Sequence, residues 1–99
     1  MALVVRITPR AVREIDRAAQ WWSKNRLAAR DAVQADLEDV LALLVEHPGI
    51  GAKVENSRDA ETRRFFLDRT RYFIYFRQRG GFREVVAFWH SSRERGPLV

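Results

Sequence analysis

A histidine and two arginines could together hold a phosphate group and move a proton. His90 ends a predicted strand, Arg71 begins the strand expected to pair with it, and Arg93 follows His90 in a serine-rich turn. Guanidinium groups bind phosphate through a planar fork of donors, and an imidazole can transfer protons near neutral pH. This is the minimum for metal-free RNA cleavage through the 2′-hydroxyl. The same residues could instead close the sheet edge or pair with an acidic partner.

Other catalytic signatures are absent from the sequence. There is no cysteine, and two histidines, His47 and His90, cannot make a metal site by themselves. The pattern Gly49-x-Gly51 follows a predicted helix rather than a strand, so it is not a dinucleotide-binding loop. We therefore expect no metal and no cofactor.

The positive charge lies in the second part of the chain. The net charge is +5; residues 1–57 carry 8 basic and 8 acidic groups, whereas residues 58–99 carry 10 basic and 5 acidic groups. All but two of the basic residues are arginines. Such a surface suits nucleic acid or an acidic protein partner, although it could also serve solubility alone.

The length of 99 residues predicts one domain, residues 1–99. The N-terminal apolar run is too short for a signal peptide, and no apolar stretch is long enough to span a membrane. We therefore expect a cytoplasmic protein with no membrane partner.

Hydrophobic periodicity predicts a strand at residues 3–7 and helices at residues 9–24 and 28–46, with Thr8-Pro9 starting the first helix. The first buried stripe is predicted as Val12, Ile15, Ala19 and Trp22. The second is predicted as Val33, Leu37, Val40, Leu41, Leu44 and Val45. Residues 52–61 are predicted to form a loop.

Three strands are predicted at residues 62–67, 71–79 and 82–90, with a two-residue hairpin at Gly80-Gly81. If Arg79 faces Phe82, the hairpin register pairs the remaining residues as Arg77 with Glu84, Tyr75 with Val86, Phe73 with Phe88 and Arg71 with His90. The order βααβββ predicts an α+β fold, with the helices on one face of a mostly antiparallel four-stranded sheet.

Strand alternation divides this hairpin into two faces. One is apolar and should lie under the helices: Tyr72, Ile74, Phe76, Val85, Ala87 and Trp89. The other has an apolar centre with charged ends and should stay open: Arg71, Phe73, Tyr75, Arg77, Glu84, Val86, Phe88 and His90. An uncovered face of this character is typical of a partner-binding surface.

In this order and spacing, the chain resembles the RelE/ParE family of toxins from bacterial type II toxin–antitoxin modules. The segments that carry the likeness are Thr8-Pro9-Arg-Ala, His47-Pro48-Gly-Ile-Gly, Arg63-Arg-Phe, Arg71-Tyr-Phe-Ile-Tyr-Phe-Arg77 and Val85-Val-Ala-Phe-Trp-His90-Ser-Ser-Arg93. The resemblance implies a small α+β domain and an antitoxin that wraps and silences it.

Two activities occur in this family, and the residues favour one. RelE-like members cut messenger RNA on the ribosome, whereas ParE-like members act on DNA gyrase. Phe65 interrupts the basic pair expected of RelE-like enzymes, and the tail after Arg93 lacks the expected tyrosine, although His90 could substitute for it. We therefore expect a ParE-like gyrase inhibitor. The alternatives are a metal-independent, ribosome-dependent mRNA endoribonuclease using Arg71, His90 and Arg93, and an inactive paralogue that still binds an antitoxin.

The resemblance also directs attention to two sets of contact residues. Candidates for binding the target are the basic residues of the strand region, namely Arg63, Arg71, Arg77, His90 and Arg93. Candidates for binding the antitoxin are the apolar residues of the open face and one tryptophan of the first helix, namely Trp21, Phe73, Tyr75, Val86 and Phe88.

Overall fold

The computed structural model describes residues 4–47, 49–55, 57–58 and 61–99, and within them it has two α-helices and five strands. In chain order these are β1 (Val4–Ile7), α1 (Pro9–Asn25), α2 (Ala32–Glu46), β2 (Ala52–Lys53), β3 (Arg63–Leu67), β4 (Tyr72–Arg79) and β5 (Phe82–His90). The α+β class and the helical hairpin on one face are confirmed. Predicted features at Leu3 and Pro48 lie outside the described residues.

The sheet has five strands rather than four, in the order β1-β5-β4-β3-β2. The extra strand is β2, which lies inside the segment predicted to be a loop. Its two residues pair with Arg63 and Arg64 of β3. Two residues are too few to show an alternation of apolar and polar positions, so β2 was not visible in the sequence. The strand β1 runs parallel to β5, and the other neighbours are antiparallel.

The helix boundaries follow local capping chemistry. The hydroxyl of Thr8 accepts a hydrogen bond from the Ala11 backbone at 3.1 Å, and Pro9 occupies the first turn of α1. The helix α2 starts later than predicted, because residues 27–29 form a short 3₁₀ turn first. In α1 the buried residues are Ala11, Ile15 and Ala18, and Val12 is 43% exposed. The predicted stripe is therefore wrong at Val12.

A β-bulge divides the β4–β5 hairpin into a correctly predicted part and a shifted part. Near the turn, Arg79 pairs with Phe82 and Arg77 with Glu84, as predicted. Phe76 pairs with Val85 but its neighbour Tyr75 pairs with Ala87, so β5 holds one extra residue at that point.

Beyond the bulge the predicted pairs are wrong by one residue. Phe73 pairs with Trp89 rather than Phe88, and Tyr72 rather than Arg71 pairs with His90. A one-residue slip turns each side chain to the opposite face of the sheet. Phe88 therefore joins the core under the helices, and Trp89 packs on the face away from them, called here the outer face.

The core under the helices combines both layers. Ile15, Val33, Val40 and Leu44 of the helices pack with buried side chains of the sheet, namely Leu67, Ile74, Phe76, Val85 and Phe88. The helix α2 also buries a carboxylate: Asp36 accepts hydrogen bonds from the backbone N–H and the hydroxyl of Thr70, at 3.2 and 2.8 Å. This carboxylate fixes the β3–β4 turn beneath α2.

The outer face is not open at its centre, because residues 94–99 cross it. The indole N–H of Trp89 donates to the carbonyl of Arg95 at 2.7 Å, and the backbone N–H of Arg58 donates to the carbonyl of Val99 at 2.8 Å. Val99 packs against a small buried cluster that includes Tyr75 and Val86. The expectation of an uncovered apolar face is therefore wrong for these two residues.

Neither helix within the described ranges is long and apolar enough to cross a membrane.

Candidate functional site

A cleft of about 330 Å³ lies between one side of α1 and the end of the β4–β5 hairpin. Its α1 wall is built from residues three or four positions apart, which therefore share one helix face. The cleft is lined by Glu14, Arg17, Ala18 and Trp21 of α1 and by Tyr72, Phe88, Trp89, His90 and Arg93 of the hairpin and the turn after it. Two of the residues predicted to bind the target, His90 and Arg93, meet here, together with Trp21 and Phe88 from the set predicted to bind the antitoxin.

The position of α1 follows from the early end of β1. That strand pairs with β5 only as far as Val85, whose carbonyl accepts a hydrogen bond from the Thr8 backbone at 3.0 Å. Further along β5, the carboxylate of Glu14 accepts a hydrogen bond from the backbone N–H of Phe88 at 3.0 Å. Arg10 forms an ion pair with the same carboxylate at 3.5 Å. A helix side chain thus takes the place of a strand along this edge.

The hydrogen bonds of His90 fix its tautomer. The backbone N–H of Ser92 donates to Nδ1 at 3.1 Å, and the Ser92 hydroxyl lies 2.7 Å from the same nitrogen. Because Nδ1 accepts, a neutral ring carries its proton on Nε2. The ring meets Tyr72 edge-on, with centroids 4.8 Å apart, so His90 lies on the helix side of the sheet.

Tyr72 and Arg93 form the other side of the cleft. The Tyr72 ring stacks on Phe88 at 4.7 Å, and the Arg93 guanidinium lies 4.0 Å from the Trp89 ring centroid. Burial raises the pKa of Tyr72 above its ordinary value, and the charge of Arg93 offsets part of that rise. The Tyr72 hydroxyl is therefore protonated, and available as a donor, at neutral pH.

Arg71 does not enter the cleft. It lies in the turn before β4 with a left-handed backbone, φ 68°, and its guanidinium lies 5.0 Å from the Phe66 ring centroid. Phe66 pairs with Phe73 on the outer face. Arg71 approaches the segment after His90 through its backbone, because the Ser91 N–H donates a hydrogen bond to the Arg71 carbonyl at 2.9 Å. The predicted alignment of Arg71 with His90 is wrong, because the bulge places Tyr72 there instead.

The other two arginines predicted to bind a target are engaged within the chain. Arg63 donates to the backbone carbonyls of Gly49, Ile50 and Gly51, at 3.0, 3.1 and 2.7 Å. These bonds hold the loop between α2 and β2. Arg77 pairs with Glu84 through two nitrogens, each at 2.9 Å. Neither guanidinium is presented freely to a partner.

The residues predicted to bind an antitoxin divide by exposure. Trp21 is 47% exposed at the rim of the cleft, and Phe73 is half-buried beneath Arg64, whose guanidinium lies 4.2 Å from its ring centroid. Tyr75 and Val86 are buried on the outer face, and Phe88 is 2% exposed on the helix side. Their role in binding an antitoxin stays a prediction, and only Trp21 and Phe73 are accessible as the chain stands.

Three cleft residues with polar groups, Glu14, Arg17 and Tyr72, were not predicted as site residues from the sequence. Glu14 and Arg17 lie three residues apart, and Trp21 follows at four, so helical spacing alone could have placed them on one face. Nothing in the sequence indicated that this face meets Tyr72. Within the described residues, no group of three or more histidine, cysteine, aspartate or glutamate side chains could hold a metal ion.

Comparison with protein families gives a match over nearly the whole chain. The family described as ParE toxin of type II toxin-antitoxin system, parDE, matches residues 5–95. No curated protein matches this chain in sequence.

Solved structures share the fold at low sequence identity. A chain of the chromosomal ParDE toxin–antitoxin system from P. aeruginosa superposes with a TM-score of 0.71 at 20% identity. A chain of the YoeB dimer from Staphylococcus aureus superposes with a TM-score of 0.60 at 12% identity. Each comparison covers 89% of this chain and 95% of the other.

Proposed function

Because this chain belongs to the ParE toxin family, and is a ParE-like toxin of a type II toxin–antitoxin system, we propose that it inhibits DNA gyrase and that a cognate antitoxin neutralises it. The family match covers residues 5–95, which includes β1 from its second residue and every later element to the end of β5.

The placement of Arg71 is the observation that carries the choice of gyrase over messenger RNA. The alternative required Arg71, His90 and Arg93 to converge on one phosphate. Instead, Arg71 lies against Phe66 on the outer face, whereas His90 lies against Tyr72 on the helix side. Arg71 on the outer face cannot contact a phosphate held by His90 and Arg93, so the three residues do not form one catalytic site. This supports a toxin that works by binding.

The exposed basic groups then become candidates for contact with the target. Arg93 and Arg71 are exposed and pair with no carboxylate among the described residues, whereas Arg63 and Arg77 hold the fold. We propose that Arg93, Arg71 and His90 contact gyrase. Each guanidinium lies on an aromatic ring, which holds it in place while its donors face solvent.

For the antitoxin, the exposed ring of Trp21 and the half-buried ring of Phe73 are the proposed anchors. An amphipathic segment with acidic residues would complement the arginines beside both, Arg17 near Trp21 and Arg64 over Phe73.

A supercoiling assay with purified gyrase tests the proposal. We expect the toxin to inhibit supercoiling or to trap double-strand breaks, and Arg93→Ala to weaken this effect by about tenfold, as for loss of a charged contact. Arg13→Ala is the matched control, because Arg13 is exposed on α1 and does not line the cleft. Unaltered supercoiling at excess toxin would contradict gyrase inhibition.

Primer extension on translated messages tests the alternative. We expect no codon-linked cuts. If cuts appear and His90→Ala abolishes them, the toxin is a ribosome-dependent endoribonuclease and the gyrase proposal fails.

A further inference from the structure

The cleft between α1 and the hairpin presents hydrogen-bond donors almost exclusively. Arg17, Arg93, the Tyr72 hydroxyl and Nε2 of His90 are all donors at neutral pH. Among the described residues, no carboxylate pairs with either guanidinium, and no acceptor meets the Tyr72 hydroxyl or Nε2. Several unpaired donors converging on one concave site favour a ligand that offers several acceptors.

Glu14 is the one carboxylate among the described residues of the cleft, and it does not accept from these donors. Glu14 already accepts from the backbone of Phe88 at 3.0 Å and pairs with Arg10 at 3.5 Å. Its charge is therefore satisfied from the side of the sheet and from the preceding helical turn. The two cleft arginines keep their positive charge for a ligand.

The rim of the cleft adds a flat aromatic surface. The Trp21 ring is 47% exposed, and Arg26 at the end of α1 lies 5.2 Å from its centroid. The Trp22 ring packs edge-on against the Trp21 ring, with centroids 6.0 Å apart, and this contact defines the orientation of Trp21. Exposed aromatic rings beside basic groups stack nucleobases while the basic groups contact the phosphate.

We propose that this cleft binds one nucleotide, with the phosphate among Arg17, Arg93, His90 and Tyr72 and the base against Trp21. Its volume of about 330 Å³ is at the lower end for small-ligand sites, which span roughly 300–1,000 Å³. The nucleotide comes either free or as one unit of a single strand, since both offer the same phosphate and base. This site goes beyond gyrase inhibition and does not depend on it.

Calorimetric titration of the folded chain with adenosine 5′-monophosphate (AMP), adenosine and inorganic phosphate tests the site. We expect AMP to bind more tightly than either part alone. Arg17→Ala should weaken AMP and phosphate binding about tenfold, as for a lost charge-assisted contact. Trp21→Ala should weaken AMP binding about tenfold and leave phosphate binding unchanged. The control Arg13→Ala should bind AMP as the parent chain does.

Two further ligands separate the sources and the competing class. Tighter binding of a four-nucleotide single strand than of AMP supports a nucleic acid as the source, and equal binding supports a free nucleotide. The proposal is overturned if AMP does not bind, if adenosine binds as tightly as AMP, or if tetraglutamate binds more tightly than AMP. Equal weakening by Arg13→Ala and Arg17→Ala would also overturn it, because binding would then follow net charge alone.

Discussion

The carboxylate of Glu14 accepts a hydrogen bond from the backbone N–H of Phe88, 3.0 Å away, and so joins α1 to β5. The two residues are 74 positions apart in the chain. The bond lies just beyond the bulge, where β1 has ended and β5 would otherwise expose an unpaired N–H. It fixes both the docking of α1 and the wall of the cleft.

Replacing Glu14 should weaken the attachment of α1 to β5. We expect Glu14→Ala to lower the free energy of unfolding by about 1–3 kcal/mol, because a half-buried backbone N–H loses its acceptor. Glu14→Gln keeps an acceptor and should lose less. Urea denaturation gives the energies, and amide exchange at Phe88 should be faster in the alanine variant. Asp16→Ala, exposed on the same helix, is the control; an equal loss there would refute a specific role for the bond.

Replacing the buried carboxylate of Asp36 should destabilise the fold more than replacing Glu14. Its loss in Asp36→Ala leaves the N–H and hydroxyl of Thr70 without an acceptor in the core, so we expect a loss of about 2–4 kcal/mol. Chemical denaturation measures it. Asp39→Ala, on the same helix and exposed, should change stability by less than about 0.5 kcal/mol. Similar losses in both variants would show that the Thr70 bonds contribute little.

Gly51 should tolerate no side chain. Its φ is +84°, and an added Cβ would lie 2.4 Å from the Arg64 carbonyl oxygen, which cannot withdraw because it belongs to β3. We expect Gly51→Ala to destabilise the fold by more than about 1 kcal/mol, measured as a lower thermal midpoint. At Gly49 an added Cβ meets nothing within 4 Å, so Gly49→Ala should be nearly neutral. A neutral Gly51→Ala would contradict the close approach.

The raised pKa of Tyr72 predicts that the stability of the fold falls at high pH. Its pKa is raised in the folded chain, chiefly by burial, so between the ordinary value of 10.0 and the folded value the native state binds more protons than the unfolded state. Stability from the neutral phenol is complete below pH 10 and falls as the pH rises above it. Tyr72→Phe removes this loss, so its stability relative to the parent chain should increase from pH 9 to pH 11 in urea denaturation. A constant difference across that range would contradict the raised pKa.

The indole N–H of Trp89 should hold residues 94–99 on the outer face. Trp89→Phe keeps a ring beneath Arg93 but removes the bond to the Arg95 carbonyl. We expect cleavage after Arg95 by trypsin to become several-fold faster, because one hydrogen bond contributes about 1 kcal/mol. Trp21→Phe, which changes an exposed ring elsewhere, should not alter the rate. Unchanged cleavage in Trp89→Phe would show that other contacts hold the segment.

The sequence alone determined the class of the fold and most of its elements. Thr8-Pro9 encodes the start of α1, and Gly80-Gly81 encodes the hairpin, because capping and turn chemistry act within a few residues. The pairing of Arg79 with Phe82 and of Arg77 with Glu84 followed from the same turn. The family resemblance was likewise present in short segments that keep their order.

Only the tertiary structure decided which side chains share a face at the far end of the hairpin. The extra residue on β5 leaves the apolar pattern of both strands intact, yet it moves Phe88 and His90 to the helix side and separates His90 from the Arg71 guanidinium. The bulge lies where β1 has ended and Glu14 of α1 takes its place beside β5. Such a partner, 74 residues away, is set by packing and not by local alternation, so the cleft could not be read from the chain.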